Sequence, residues 1–90
     1  MYYVYILKSL SDRGWYIGYS ENIDQRVHDH NMGKNVSTKS RRPLILIYYE
    51  AYLHKLDALG REKFLKSGSG RRFLEKQTRH YLEYSISFSH

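Results

Sequence analysis

The chain contains no cysteine and a single proline among its 90 residues. Without thiols it has no disulfide framework, no thiolate zinc site and no cysteine nucleophile. No apolar run approaches the roughly 20 residues that cross a bilayer, and the N-terminus lacks the basic region and the small-residue cleavage site of a signal peptide. These absences predict a cytoplasmic protein without a membrane partner.

Length and charge narrow the class further. Ninety residues allow one domain, which we expect over residues 1–80, followed by a loosely ordered C-terminal tail at 81–90. Fifteen lysines and arginines oppose nine acidic side chains, and residues 33–79 carry twelve of the basic and four of the acidic ones. This positive excess favours a polyanionic partner such as nucleic acid, although a solvated basic surface gives the same composition.

The first third of the chain has the pattern of a β-hairpin followed by a helix. Residues 2–7 and 15–19 are rich in aromatic and β-branched side chains, which favour strands, and the segment 9–14 between them has turn chemistry. A helix is predicted from an N-cap within residues 20–22 to Asn31.

The remainder predicts a loop, a third strand and two helices. Residues 34–43 are polar and hold four basic residues without an acid, which indicates an exposed, phosphate-contacting loop. Residues 44–53 open with a continuous apolar run, which predicts the central strand of the sheet. Helices are predicted at 54–67, ended by the glycines that follow, and at 71–81. The order ββαβαα indicates an α+β fold, a small sheet covered by helices.

One acidic side chain on the second predicted helix is unusually placed. At about 3.6 residues per turn, Glu62 shares a face with Ala58, Leu59 and Leu65. A carboxylate on a face that packs against the sheet is costly unless it meets a cation. Three partners remain open at this point: an arginine or a lysine in a structural ion pair, of which the arginine is favoured, or a divalent metal ion.

The first predicted helix carries a second polar pair. Arg26 and His30 are four positions apart, so their side chains share one helix face. An arginine fork matches two phosphate oxygens, and a histidine accepts or donates a proton near neutral pH. The alternative for His30 is a packing role beside Ile23 and Val27. The other four histidines show no spacing that predicts a zinc site.

The predicted hairpin presents two tyrosines and a glycine. Period-two alternation places Tyr5 on one face of the first strand, and Tyr16 with Gly18 on one face of the second, so the two phenols are expected to face the same way. The missing side chain of Gly18 would let a substrate backbone approach the sheet. The alternative is a bulge glycine beside a packing tyrosine.

These residues together have a characteristic spacing. It consists of two tripeptides and three single residues: Tyr3-Val4-Tyr5, Tyr16-Ile17-Gly18, Arg26, His30 and Glu62. In this pattern the chain resembles the GIY-YIG nuclease superfamily. The segments STKSRRP, YYE, ALGREKFLKSG and GRRFL are similar to those of its small stand-alone members, so that the likeness covers at least residues 2–75.

The resemblance implies a three-stranded antiparallel sheet flanked by helices and a divalent-metal-dependent phosphodiesterase acting on DNA. By position, Tyr5 and Tyr16 would be the two motif tyrosines, Arg26 the phosphate-binding arginine and His30 the helix histidine. Glu62 would be the ligand of Mg²⁺ or Mn²⁺, since an ion held by one carboxylate keeps its waters and binds largely through substrate phosphate. The Tyr16 hydroxyl, helped by Arg26 or by a metal-bound hydroxide, would deprotonate the attacking water, while the metal ion stabilises the leaving oxygen.

The chain also departs from the family pattern. Tyr3 stands where the first motif has glycine, and Tyr19 follows the second motif where some members place a lysine. Gln77 is the amide nearest to the position of an asparagine that larger members use. Because no DNA-binding domain is appended, specificity is expected from the basic surface, from a homodimer or from a partner protein.

The implied function is a structure-guided DNA endonuclease in repair or processing, with RNA as the alternative nucleic acid. The expected nucleic-acid contacts are one glycine and six basic residues: Gly18, Lys34, Lys39, Arg41, Arg42, Arg71 and Arg72. The alternatives are a nucleic-acid-binding module with weak or no turnover and a subunit of a larger nuclease complex.

Overall fold

A computed structural model of the chain describes residues 1–87, with side chains up to Ser85. Within these residues it contains a three-stranded antiparallel sheet and four α-helices, so the predicted α+β class is confirmed. The strands are β1 (Tyr2–Ser9), β2 (Trp15–Ser20) and β3 (Leu44–Tyr52). The helices are α1 (Ile23–Asn31), α2 (Lys55–Leu65), α3 (Gly68–Gln77) and α4 (Arg79–Ser87), and a 3₁₀ turn covers Lys39–Arg41. Across this part of the chain no helix is long and apolar enough to cross a membrane.

The central strand is β1, so the prediction that the third strand is central was wrong. Tyr5 of β1 lies opposite Gly18 of β2 on one side and opposite Tyr49 of β3 on the other. Residues 4–7 are all buried, whereas Tyr49 on the edge strand is 54% exposed. An apolar run indicates that helices cover a strand's faces, but it does not indicate how many strands flank it. The run that opens β3 therefore does not identify the central strand.

Helices cover both faces of the sheet and form two small cores. Val4 and Ile6 of β1 pack with Ala58 and Leu65 of α2 and with Leu74 of α3. On the opposite face the buried residues are Tyr5, Leu7 and Leu44, against which Val27 of α1 packs. Because alternate residues of β1 enter opposite cores, the Tyr5 side chain faces α1.

The junction between α2 and α3 corrects one predicted boundary. The two glycines predicted to end the second helix belong to the first turn of α3. Ser67 caps this helix by accepting a hydrogen bond from the Gly70 amide at 3.1 Å. A β-carbon on Gly70 would lie 2.5 Å from Leu65 Cα, so glycine is required here by the close approach of the two helices.

The C-terminal part also differs from the prediction. The single helix predicted at 71–81 is two helices, α3 and α4, separated at Thr78, whose hydroxyl donates to the Leu74 carbonyl. Helix α4 occupies the first part of the tail expected at 81–90. Residues 88–90 of that tail lie outside the described residues.

An ion pair between Glu50 and Arg61 fastens α2 to β3. The Arg61 guanidinium donates to the Glu50 carboxylate at 2.8 and 3.1 Å, and the hydroxyls of Tyr48 and Tyr52 donate to the same carboxylate. Burial acts to raise the pKa of Glu50, but these hydrogen bonds hold it below its ordinary value. Arg61 also lies over the Phe73 ring, 4.5 Å from its centroid. These contacts fix the segment of α2 that includes the neighbouring Glu62.

Candidate active site

A chain of buried hydrogen bonds connects β1, α1 and the loop that follows α1. Tyr5 Oη lies 2.9 Å from His30 Nε2, and His30 Nδ1 lies 2.7 Å from Thr38 Oγ1. All three side chains are at most 1% exposed. His30 therefore has more than a packing role, since both of its ring nitrogens have hydrogen-bond partners.

Burial and the neighbouring groups determine where the protons lie in these two hydrogen bonds. Burial raises the pKa of Tyr5, and the nearby Tyr16 raises it further, so the Tyr5 hydroxyl stays protonated. We assign it as the donor in its contact with His30 Nε2. Burial lowers the pKa of His30, as does the positive charge of Arg26, so the imidazole is neutral. A neutral imidazole has one N–H, which we assign to Nδ1, from which it donates to Thr38.

Tyr16 lies beside the hydrogen-bonded Tyr5 and His30, on the same face of the sheet as Tyr5, as strand alternation predicts. Its ring centroid is 4.8 Å from that of His30, in an edge-to-face arrangement, and 6.3 Å from that of Tyr5. Tyr16 is only partly buried, whereas Tyr5 is fully buried. Of the two phenols, Tyr16 is therefore the one that a substrate can reach.

Gly18 makes room for Tyr5. It lies directly opposite Tyr5 in the β1–β2 pairing and is itself buried. A β-carbon at Gly18 would lie 2.5 Å from Tyr5 Cζ, so any larger residue would displace the phenol from His30. The absent side chain was expected to admit a substrate backbone, but the structure fills that space with the Tyr5 ring.

Arg26 and Glu62 belong to the electrostatic environment of the Tyr5 hydroxyl. Burial is the largest cause of the raised pKa of Tyr5, and the Glu62 carboxylate adds to it, while the Arg26 guanidinium acts in the opposite direction. These residues lie on β1, β2, α1 and α2, far apart in sequence. Tyr5, Tyr16 and His30 thus form one cluster, and the charges of Arg26 and Glu62 act on its Tyr5 hydroxyl.

The surroundings of Glu62 test whether a divalent metal ion fits. Its side chain is 20% exposed and pairs with Lys66 at 3.2 Å, one helical turn away, so the cation that it meets in the described residues is a lysine and not the favoured arginine. Within residues 1–87 no three histidine, aspartate or glutamate side chains are grouped to hold a metal ion. Mg²⁺ usually binds through one or two carboxylates together with water and substrate phosphate. A single, partly accessible carboxylate fits that mode of binding.

Thr38 is a site residue that the sequence analysis missed. The surrounding loop was predicted to be exposed because of its polar composition, but Thr38 is fully buried against His30. The pattern gives no signal for it, because the partner of Thr38 lies eight residues away on a helix. The hydrogen bond between Thr38 Oγ1 and His30 Nδ1 indicates that Thr38 orients the imidazole.

Replacing Thr38 by valine is expected to destabilise the fold by about 1–3 kcal/mol, since His30 Nδ1 would be left buried without a partner. Thr38→Ser keeps the hydroxyl and should recover most of this loss. The exposed neighbour offers a matched control, Ser37→Ala, which should melt close to the wild type. Thermal unfolding of the four proteins measures the effect, and a Thr38→Val protein as stable as the wild type would contradict the assigned hydrogen bond.

Acidification is expected to destabilise the fold through His30. Burial, then Arg26, lowers its folded pKa, with Asp29 acting weakly in the opposite sense, whereas the unfolded value is about 6.5. The unfolded chain therefore binds this proton more readily, and stability should fall as the pH drops below about 6.5 until folded His30 is itself protonated. Thermal midpoints from pH 8 to 5 test this. The decrease should remain in His28→Asn, an exposed control, and shrink in His30→Asn.

The six basic residues predicted to contact nucleic acid differ in availability. Three have a carboxylate partner: Arg41 with Asp12 at 2.7 Å, Arg71 with Glu75 at 2.9 Å, and Lys34 with Asp29 at 3.6 Å. Arg42 and Arg72 donate to uncharged oxygens, and Lys39 is exposed. A phosphate would therefore compete with a carboxylate at the first three positions.

Known proteins are similar to this chain in sequence and in fold. A model of the GIY-YIG catalytic domain matches residues 1–77. A UPF0213 protein of Staphylococcus haemolyticus is 42% identical over 69 residues, which cover 76% of this chain and 83% of that protein. A UPF0213 protein of Staphylococcus aureus is 43% identical over 67 residues, which cover 73% of this chain and 80% of that protein.

A solved structure gives the same result. The solution NMR structure of a UPF0213 protein from Bacillus halodurans superposes with a TM-score of 0.53 at 33% identity, covering 86% of this chain and 85% of that one. The family match at residues 1–77 includes the hairpin tyrosines, the α1 pair and the α2 carboxylate. On these grounds, the chain belongs to the GIY-YIG nuclease family.

Proposed function

We propose that this protein is a divalent-metal-dependent endonuclease that hydrolyses DNA phosphodiester bonds in structure-guided repair or processing. The observation that carries the proposal is the buried Tyr5–His30–Thr38 hydrogen-bond array with the accessible Tyr16 ring packed against it, in a chain whose residues 1–77 match the GIY-YIG catalytic domain. The charges of Arg26 and Glu62 act on the hydroxyl of the same array. An accessible phenol, a guanidinium and a carboxylate suffice to position water, bind phosphate and hold a metal ion.

Each of these residues has a distinct role in the proposed reaction. Arg26 is exposed on α1 and binds the non-bridging phosphate oxygens through its two-pronged guanidinium. Tyr16 acts as a phenolate that accepts one proton from the attacking water as the new P–O bond forms. The P–O ester bond on the opposite side breaks in the same step, and the leaving sugar oxygen takes a proton from solvent. Tyr5 stays protonated and is a positioning residue: with His30 and Thr38 it forms the rigid surface against which Tyr16 packs.

Glu62 is the residue that would hold the metal ion. When bound, Mg²⁺ or Mn²⁺ supplies positive charge to the phosphate oxygens on which negative charge develops. Glu62 must exchange its ion pair with Lys66 for this contact, and the half-exposed Lys66 side chain can turn into solvent. The anchoring of α2 through Glu50 and Arg61 keeps the Glu62 backbone in place during that exchange.

The test is a cleavage assay of the purified chain with Mg²⁺ or Mn²⁺ on duplex, flap, junction and single-stranded DNA, with the matching RNA strands alongside. The proposal expects metal-dependent cuts that favour at least one branched or discontinuous DNA. Binding without cuts on any substrate would instead support the nucleic-acid-binding module, or a nuclease subunit that needs its partner. A nuclease subunit should start to cut when its partner protein is added, or at higher protein concentration if it acts as a homodimer. A nucleic-acid-binding module should cut under neither condition.

Binding is expected to be mainly electrostatic and therefore sensitive to salt. If about four of the six predicted cations meet phosphates, log K against log[salt] should have a slope of roughly −3 to −4. Lys39→Ala should reduce the magnitude of this slope by about one, because Lys39 is exposed. Arg41→Ala should reduce it less, since Arg41 is already paired with Asp12. An affinity that does not change with salt would contradict a phosphate-binding surface.

A further inference from the structure

A groove lies on the other side of the sheet from Tyr16, between the β1–β2 turn and helices α3 and α4. Its volume is about 480 Å³. The residues of its wall that matter here are three cations, one acid, one aromatic ring and one hydroxyl: Lys8, Arg13, Arg71, Glu75, Trp15 and Ser85. None of these except Arg71 belongs to the surface predicted from sequence.

Two of the three cations of the groove, Lys8 and Arg71, are held in place by neighbouring side chains. Lys8 Nζ donates to Ser85 Oγ at 3.0 Å and lies 5.6 Å from the centroid of the Tyr81 ring, so α4 orients the ammonium group. Arg13 is exposed on the turn, at a positive φ of 62°. With Glu75 as the one acid among the lining residues, the groove has an excess of positive charge. It is therefore suited to an anion.

An aromatic ring and a guanidinium are combined in the same wall. The Arg71 guanidinium lies 3.8 Å from the Trp15 ring centroid, well within stacking distance. Glu75 accepts a hydrogen bond from Arg71 Nε at 2.9 Å and so holds the guanidinium over the ring. Arg71 is exposed, so its outer surface can receive a second planar group. Stacking planes beside cations are typical of surfaces that bind single-stranded nucleic acid.

The groove and the candidate active site meet at the edge of the sheet. Trp15 and Tyr16 are consecutive in β2, and their side chains point to opposite faces. Strand β2 is an edge strand, so within residues 1–87 no further strand blocks the passage around it. A strand of substrate that contacts Tyr16 can therefore pass this edge and enter the groove.

We propose that the groove binds the single-stranded continuation of the nucleic acid cut at Tyr16, with phosphates at Lys8 and Arg13 and a base stacked on Arg71. The inference rests on the proposed nuclease function and adds the class of substrate: a duplex with an attached single strand. A blunt duplex keeps its bases stacked inside the helix and cannot offer one to Arg71. The groove would thus favour substrates that carry an unpaired strand.

Trp15 is the only tryptophan of the chain, so its fluorescence reports directly on this groove. The intact chain is titrated in EDTA with an unlabelled single-stranded oligonucleotide, and separately with a blunt duplex of equal length. We expect the single strand to quench Trp15 at lower concentration than the duplex does. Affinity is measured independently from the anisotropy of a labelled strand.

Two groove variants and one control complete the test. Arg71→Gln removes the stacking plane, and Arg13→Asn removes a cation with a side chain that tolerates positive φ. Each is expected to weaken single-strand binding about tenfold, the loss that one base-stacking or phosphate contact produces. Lys76→Gln removes an equal charge from α3 outside the groove wall and should change affinity much less.

The outcomes separate this inference from the proposed function. If the single strand binds without a change in Trp15 fluorescence and all three variants bind alike, the groove proposal is wrong even where the wild type cuts DNA. Quenching by the blunt duplex at equal concentration would also overturn the single-stranded occupant. If Trp15 is quenched as expected but no substrate is cut in Mg²⁺ or Mn²⁺, the groove stands and the proposed reaction fails.

Discussion

Glu62→Gln is expected to lose DNA cleavage by a factor on the order of 10³ or more, because the positive charge that Glu62 would hold contributes several kcal/mol to the transition state. DNA affinity measured without metal should stay close to that of the wild type, since the amide keeps the shape of the side chain. The two quantities are measured by single-turnover cleavage and by anisotropy on the same preparations.

The ion pair of Glu62 supplies the matched control. Lys66→Met breaks the same contact but keeps the carboxylate, so both variants should lose the roughly 0.3–0.5 kcal/mol of an i,i+4 pair. Only Glu62→Gln should lose cleavage. If both variants cut like the wild type and differ only in melting temperature, Glu62 serves the fold and not the reaction.

Tyr16→Phe is expected to lower the cleavage rate by about 10² to 10⁴, the contribution of a positioned acid or base. The ring remains, so its packing against His30 and the stability of the fold should change little. The measurement is a single-turnover rate at saturating protein, which removes any difference in affinity. An undiminished rate would show that the Tyr16 hydroxyl does not take the proton.

A second tyrosine of β2, Tyr19, offers a control for the loss of a hydroxyl. Tyr19 belongs to the same strand, but it packs with the opposite core, and its buried hydroxyl has no hydrogen-bond partner among the described residues. Tyr19→Phe should therefore leave cleavage unchanged and stability equal or slightly higher.

Arg26→Lys keeps the charge and loses the two-pronged contact, so it should weaken both phosphate binding and the cleavage rate.

The parts of the fold that depend on short-range pattern could be predicted from sequence. Alternation in two strands joined by a short turn places Tyr5 and Tyr16 on one face. The four-residue spacing in α1 places Arg26 and His30 together, and His30 is the buried member of that pair. The position of Glu62 on α2 follows from helix periodicity, which leaves it half buried at the border of the apolar face.

The parts that depend on long-range pairing could not be predicted. Which strand is central depends on its neighbours, and β3 has the apolar composition of a central strand while lying at the edge. The ion pair with an arginine considered for Glu62 occurs instead at Glu50, whose partner Arg61 is eleven residues away on another element. Thr38 and Gly18 are defined by single contacts, with His30 and with Tyr5, that no local pattern encodes.

The central claim is that one metal-dependent hydrolytic site lies around Tyr16, Arg26 and Glu62. The most direct test removes the metal ion from a running cleavage reaction and then restores it, with the DNA that the wild type cuts best. We predict that cuts accumulate in Mg²⁺, stop when EDTA is added, resume when Mg²⁺ is supplied in excess, and never appear with Glu62→Gln. Cuts that continue in EDTA at an unchanged rate, or that Glu62→Gln makes as fast as the wild type, would contradict it.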